Sequence, residues 1–196
     1  MFQQFYKPGG GNAEVAQFMS GSGTNVVRVL EQERGMGAEC PYRTVVIVTD
    51  DERSNARMIG SKFGVSVLGF DIRDFQEERG LGRRLSLRTE AHQQAREEYS
   101  GRLLRALPDV GFGVFGGFEP LVNFVDVLPC LNVHPGDTTY LKGGKPYLVG
   151  LHTVPIQRAL DEGLAYVRSS VIQSMPYTGA GGIWIMVLIL ELVLDC

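Results

Sequence analysis

The run Thr44-Val45-Val46-Ile47-Val48-Thr49 constrains the fold more than any other feature of this sequence. Six consecutive residues are β-branched and none is charged. A strand with one wet face alternates apolar and polar residues. An unbroken run belongs to a strand covered on both faces, which is the condition of a parallel strand in an α/β protein. Helices must then lie on each side of the sheet.

The rest of the chain supplies strands and helices in alternation. Strands are predicted at 13–20, 65–70, 110–115, 130–133 and 168–175, flanking the one at 44–49. Helices are predicted at 26–33, 55–63, 89–107 and 153–163. Asp50-Asp51 is read as the cap of the second helix and Thr89 as the N-cap of the third. Ala95, Leu103, Leu104 and Leu107 give that third helix its apolar side. Residues 121–128 read as helix or loop. The charged, glycine-interrupted stretch 71–88 reads as irregular, and 138–149 as a loop with Gly143-Gly144 at its tip. The architecture predicted is a Rossmann-like, mostly parallel sheet with helices on both faces.

Composition fits one such domain at 13–182. The 196 residues are 44% hydrophobic and 21% charged, which excludes wholesale disorder. A net charge of −3 disfavours binding nucleic acid through a basic surface, but not a small anion held locally. The three cysteines, Cys40, Cys130 and Cys196, show no metal-ligand spacing, and no metal is expected. Residues 1–12 lack an apolar core and read as a flexible arm rather than a signal peptide. The apolar run 183–196 is shorter than the ~20 residues of a membrane span, and Glu191 interrupts it. A cytoplasmic protein that acts on small molecules and binds no membrane is the expectation.

The glycine-rich turn at 20–25, Gly116-Gly117 and the pair Asn132 and His134 all follow predicted strands, so one edge of the sheet can gather them. Ser20-Gly21-Ser22-Gly23-Thr24-Asn25 precedes a helix. Its glycines let backbone N–H groups turn inward at a helix N-terminus, where a phosphate fits. The same six residues serve equally well as a plain strand-to-helix turn. A P-loop lysine is missing, and Val26 stands where a dinucleotide fingerprint needs its third glycine. In Asn132-Val133-His134-Pro135-Gly136-Asp137, residues 132 and 134 share one side of a strand. An amide donor and an imidazole on one spot suit an acyl-transfer oxyanion and its proton. A satisfied strand-end histidine is the competing reading. In Gly150-Leu151-His152-Thr153, His152 is a ligand contact or a polar residue at a helix start. His92 is expected to be solvent-exposed.

These motifs, in this order, resemble the formyltransferases that use 10-formyltetrahydrofolate, and among them most closely the glycinamide ribonucleotide formyltransferases. The resemblance spans roughly residues 14–182. It implies that Gly21, Ser22, Gly23, Thr24 and Asn25 hold the substrate phosphate. It implies that Gly116, Gly117 and Phe118 line a folate cleft and that Asn132 and His134 are catalytic. The implied formyl donor is 10-formyltetrahydrofolate. The acceptor is the amine of glycinamide ribonucleotide, in purine synthesis. An amino sugar nucleotide as acceptor, and an inactive folate- or nucleotide-binding relative, are the alternatives. Gly136-Asp137 replaces the Ser usual after His-Pro, and Glu119-Pro120 replaces the Met-Arg common after Phe118.

The family also implies a catalytic Asp in an Asp-x-Gly segment after the strand at 168–175. No carboxylate occurs between Tyr177 and Leu190. The genetic code suggests why. Starting one base early, at the last base of the Gly182 codon, the Trp184–Ile185 junction must read GAT, for Asp. The Met186–Val187 junction must read GGT, for Gly. The codon between them can encode only Asn, His or Tyr. A single-nucleotide slip near Gly181-Gly182 is therefore expected to have put residues from about Ile183 onward out of frame.

Overall fold

The computed structural model describes residues 12–84, 89–116, 122–150 and 153–174. Residues 1–11 of the N-terminal arm, Gly117, Phe118, His152 and the apolar tail 183–196 lie outside the described residues.

The uncharged β-branched run forms the second strand of a six-stranded sheet. Its strands are β1 (Ala13–Met19), β2 (Tyr42–Thr49), β3 (Ser66–Gly69), β4 (Phe112–Gly116), β5 (Cys130–His134) and β8 (Ser170–Ser174). They lie in the order β3-β2-β1-β4-β5-β8. The first five are mutually parallel, and β8 alone runs antiparallel, against β5. The mostly parallel sheet expected from the sequence is the one observed.

Each face has its own apolar cluster. Ala16, Phe18, Val46, Val48, Phe115 and Cys130 point to one side. Ile72 and Phe75 of α3 (Ile72–Glu77), Ala95, Tyr99 and Leu103 of α4 (Glu90–Ala106) and Phe124 of α5 (Val122–Val127) cover them. Phe18 stacks on Phe115 with ring centroids 4.2 Å apart, and Phe124 meets Phe18 edge-on at 5.3 Å. All three rings are fully buried, each contributing about 1.5–3 kcal/mol by leaving water. On the opposite face Met19 and Ile47 pack under Val26 and Leu30 of α1 (Thr24–Met36) and Ala56 and Ile59 of α2 (Ala56–Phe63).

Four local expectations are corrected. The stretch after Phe70 is not irregular throughout. Asp71 accepts a hydrogen bond from the Arg73 N–H at 2.8 Å and starts α3, whose Ile72 and Phe75, three apart, reach the core. The surrounding charges hid that short apolar face. Asp50 and Asp51 do not cap α2; its N-cap position is Asn55, which makes no side-chain cap bond. Residues 138–149 contain a hairpin, β6 (Leu141–Lys142) and β7 (Lys145–Pro146), turning at Gly143-Gly144. His92 is half-buried, its Nδ1 paired with Thr89 Oγ1 at 2.6 Å. Thr89 itself caps α4 as expected, accepting from the His92 N–H.

Candidate active site

β1, β2, β4 and β5 all deliver their carboxyl ends to one edge of the sheet. From β1 the chain builds β2 and β3 on one side, then returns to build β4 and β5 on the other. The crevice between β1 and β4 is thus the point where strand order reverses, the place where sheets of this kind bind ligands.

The glycine loop opens from β1 at this crevice. Gly23, the residue before α1, is left-handed with φ 69°. A Cβ there would come within 2.5 Å of Met19 Cε and 2.7 Å of Ile59 Cδ1. The left-handed backbone favours glycine, and a Cβ would in addition make the ends of the Met19 and Ile59 side chains shift. Asn55 braces the loop from α2: its N–H donates to Gly21 O at 2.9 Å and its Nδ2 to Ser22 O at 3.3 Å. No side chain caps α1, and its first turn holds no acidic residue. Its first N–H groups and the positive end of its dipole therefore suit an anion. The exposed hydroxyls of Ser22 and Thr24 lie 3.3 Å apart beside them. Asn25 reaches across to β4: a Cβ on Gly116 would sit 3.3 Å from Asn25 Nδ2.

Register places the second motif close by. Phe18, Phe115 and Asn132 form one row across β1, β4 and β5. Two strand spacings, roughly 10 Å, separate β1 from β5. Asn132 and His134 alternate with Val133 and so share the face of Cys130. Both are half-buried. His134 Nε2 lies 3.1 Å from Leu148 O. A carbonyl only accepts, so Nε2 carries the proton and the neutral ring keeps its lone pair on Nδ1.

Two aspartates at the end of β2 border the loop and behave oppositely. Asp50 accepts a hydrogen bond from Ser20 Oγ, but burial dominates and raises its carboxyl above the ordinary range. Asp51 is bonded by Arg53, with Arg73 near, and its carboxyl falls to about 2. Asp137 is used locally: its Oδ1 accepts from the Thr139 N–H and hydroxyl, closing the turn after β5. Among the described residues, no cluster of three or more His, Cys, Asp or Glu could hold a metal ion.

No family model matches the chain, and no curated protein matches it in sequence. Solved structures do. Phosphoribosylglycinamide formyltransferase from Brucella melitensis matches with TM-score 0.55 and 21% identity, over 84% of this chain and 73% of that one. Glycinamide ribonucleotide transformylase 1 from Symbiobacterium toebii matches with TM-score 0.55 and 22% identity, over 83% and 66% of the two chains. Phosphoribosylglycinamide formyltransferase from Coxiella burnetii reaches TM-score 0.58 at 15% identity, over 86% and 68%. The fold is that of the phosphoribosylglycinamide formyltransferases.

Within this formyltransferase fold, the structure gathers Gly21 to Asn25, Gly116, Asn132 and His134 along one sheet edge. Gly117, Phe118 and His152 fall outside the described residues. Sequence reasoning missed three contributors. Asn55 had no signal, because it acts on a loop more than thirty positions away. In sequence Gly136 stands out only as a departure from the Ser usual after His-Pro. A Cβ there would lie 2.2 Å from Leu148 O and 2.7 Å from Pro155 Cβ, so glycine lets that carbonyl come in against the turn. Leu148 O, the partner of His134, is backbone, and no side-chain motif announces it. Among the described residues, no helix is long and apolar enough to cross a membrane.

Proposed function

We propose that this chain is built to transfer a formyl group from 10-formyltetrahydrofolate to the amine of glycinamide ribonucleotide. The observation that carries the reading is the pairing of two motifs across one crevice. An uncapped helix N-terminus behind the glycine loop flanks it on β1, and Asn132 with His134 ends β5. One binds an anion, and the other handles an acyl oxygen and a proton. A phosphorylated amine satisfies both.

In this reading the folate is a substrate, consumed in the reaction. The amine lone pair attacks the formyl carbon, and a carbon–nitrogen bond forms. The Asn132 amide donates to the oxyanion that develops. His134 takes the proton leaving the amine on Nδ1, and the resulting imidazolium adds positive charge beside the oxyanion. The bond from the formyl carbon to the folate nitrogen then breaks, and that nitrogen takes a proton. Gly116, Gly117 and Phe118 would line the folate side. The carboxylate of an Asp-x-Gly segment, encoded one frame away after Gly182, would complete the proton relay.

Formyl transfer by the frame-restored protein, assayed with glycinamide ribonucleotide and with an amino sugar nucleotide, tests this. Faster transfer to glycinamide ribonucleotide is expected. Preference for the amino sugar nucleotide would move the acceptor. Folate binding by calorimetry without any transfer would make the protein a binding relative.

A further inference from the structure

The partner of His134 is itself held in place, and the group that holds it lies on α6 (Val154–Asp161). One guanidinium nitrogen of Arg158 donates to both Tyr147 O and Val149 O, each at 2.8 Å. These are the carbonyls on either side of Leu148. The carbonyl between them goes to the His134 imidazole. We infer that Arg158 is a positioning residue: by clamping carbonyls 147 and 149 it aims Leu148 O at His134 and fixes which ring nitrogen carries the proton. The functional consequence rests on the reading of His134 as the group that takes the amine proton.

Independent contacts hold the same assembly together. A hydrogen bond from a charged donor is stronger than a neutral one, and here one cation makes two. The Arg158 guanidinium also lies 5.2 Å from the Tyr147 ring, with Lys142 Nζ 4.6 Å from that ring. Lys142 pairs with Glu162 just beyond α6, and Tyr147 N–H donates to Tyr140 O at 2.9 Å. Lys142 thus ties the hairpin to the C-terminal end of α6, and the Tyr147–Tyr140 bond closes the hairpin on itself. Gly136 provides the room: the same Leu148 carbonyl would collide with any Cβ at that position. The bare turn after His-Pro and the arginine on α6 are thus two parts of one arrangement. With Nε2 committed to Leu148 O, Nδ1 of the neutral ring is the nitrogen able to accept a proton.

The test is 15N NMR of the histidine-labelled full chain, with the His134 signals assigned by their loss in His134→Asn. Nε2 is expected as the protonated nitrogen and Nδ1 as the lone-pair nitrogen. The opposite tautomer in the unmutated chain would overturn the inference, whatever the variants do. In Arg158→Ala the two tautomers are expected to mix while circular dichroism stays unchanged; Arg158→Lys is expected to restore most of the original signal. Gly136→Ala, which pushes Leu148 O away with Arg158 intact, is expected to mix them as well. An unchanged tautomer in folded Arg158→Ala would overturn the inference. In the frame-restored protein, Arg158→Ala is expected to lower kcat on the order of ten- to a hundred-fold with KM for the amine unchanged. Relaxed tautomers in a protein that transfers no formyl group would uphold the positioning role and sink the formyl-transfer reading, so the two fail separately.

Discussion

The two banks of the central crevice are built by different means. The β1 bank is nearly a local object. Its loop leaves one strand and enters the next helix within six residues, and Gly23 sets its shape from Met19 and Ile59 beneath it. The β5 bank is assembled from afar. Asn132 and His134 come from one strand, but the imidazole is oriented by Leu148, the room for that carbonyl by Gly136, and its direction by Arg158. In the proposed function the β1 loop binds an anion, which needs only backbone and a helix end. His134 handles a proton there, which needs its tautomer fixed by partners from elsewhere in the chain.

The comparison can be broken most forcefully at the chemistry of the β5 bank. Shifting the reading frame by one base after Gly182 places an Asp-x-Gly segment there. Formyl transfer is expected to rise on the order of 1000-fold or more over the chain as written. An intact genomic frame encoding no Asp-x-Gly would remove the basis of that prediction. Next in size, Asn132→Ala in the frame-restored protein is expected to lower kcat by about 100- to 1000-fold. Steady-state kinetics would show it, and equal losses from Asn132→Ala and Ser22→Ala would erase the division of labour between the banks.

The β1 bank should respond differently. Gly23→Ala forces a Cβ into Met19 and Ile59 and a left-handed backbone onto alanine. A loss of about 1–3 kcal/mol in urea unfolding is expected, with a raised KM for the phosphorylated substrate. A variant with unchanged stability would mean that the loop is not shaped by its underside.

The smallest effects concern the two aspartates beside the loop. Asp51, held at about 2, binds fewer protons folded than unfolded. It stabilises the fold above the ordinary carboxyl range, and that contribution fades as pH falls through about 2. Asp51→Asn should therefore lower the urea midpoint at neutral pH, with an effect that shrinks as pH falls toward 2. Asp50 has the opposite sign: burial raises its carboxyl, so its ionisation at higher pH costs stability. Asp50→Asn should flatten the decline in stability across that titration. Parallel pH profiles for the two variants would contradict the assignment.

What the sequence disclosed follows the same division. The run at 44–49 announced a strand buried on both faces, and alternation around it gave the parallel sheet. Thr89 and its helix were legible because capping and periodicity are local signals. The short helix after Asp71 was masked by neighbouring charges, since only Ile72 and Phe75 report its buried side. At the site, the glycine loop and the Asn132–His134 pair stood out as spaced motifs. Asn55, Leu148 and Arg158 did not, because each acts through contacts with residues remote in sequence, and for Leu148 the acting group is a backbone carbonyl.

The central claim is that the two banks serve one substrate, a phosphate on the β1 side and an amine on the β5 side. Its most direct test compares formyl transfer by the frame-restored protein to glycinamide ribonucleotide and to the same molecule without its phosphate. Transfer to the phosphorylated amine is predicted, with kcat/KM falling by on the order of 100-fold when the phosphate is removed. Equal transfer to both molecules, or none to either, would contradict the account.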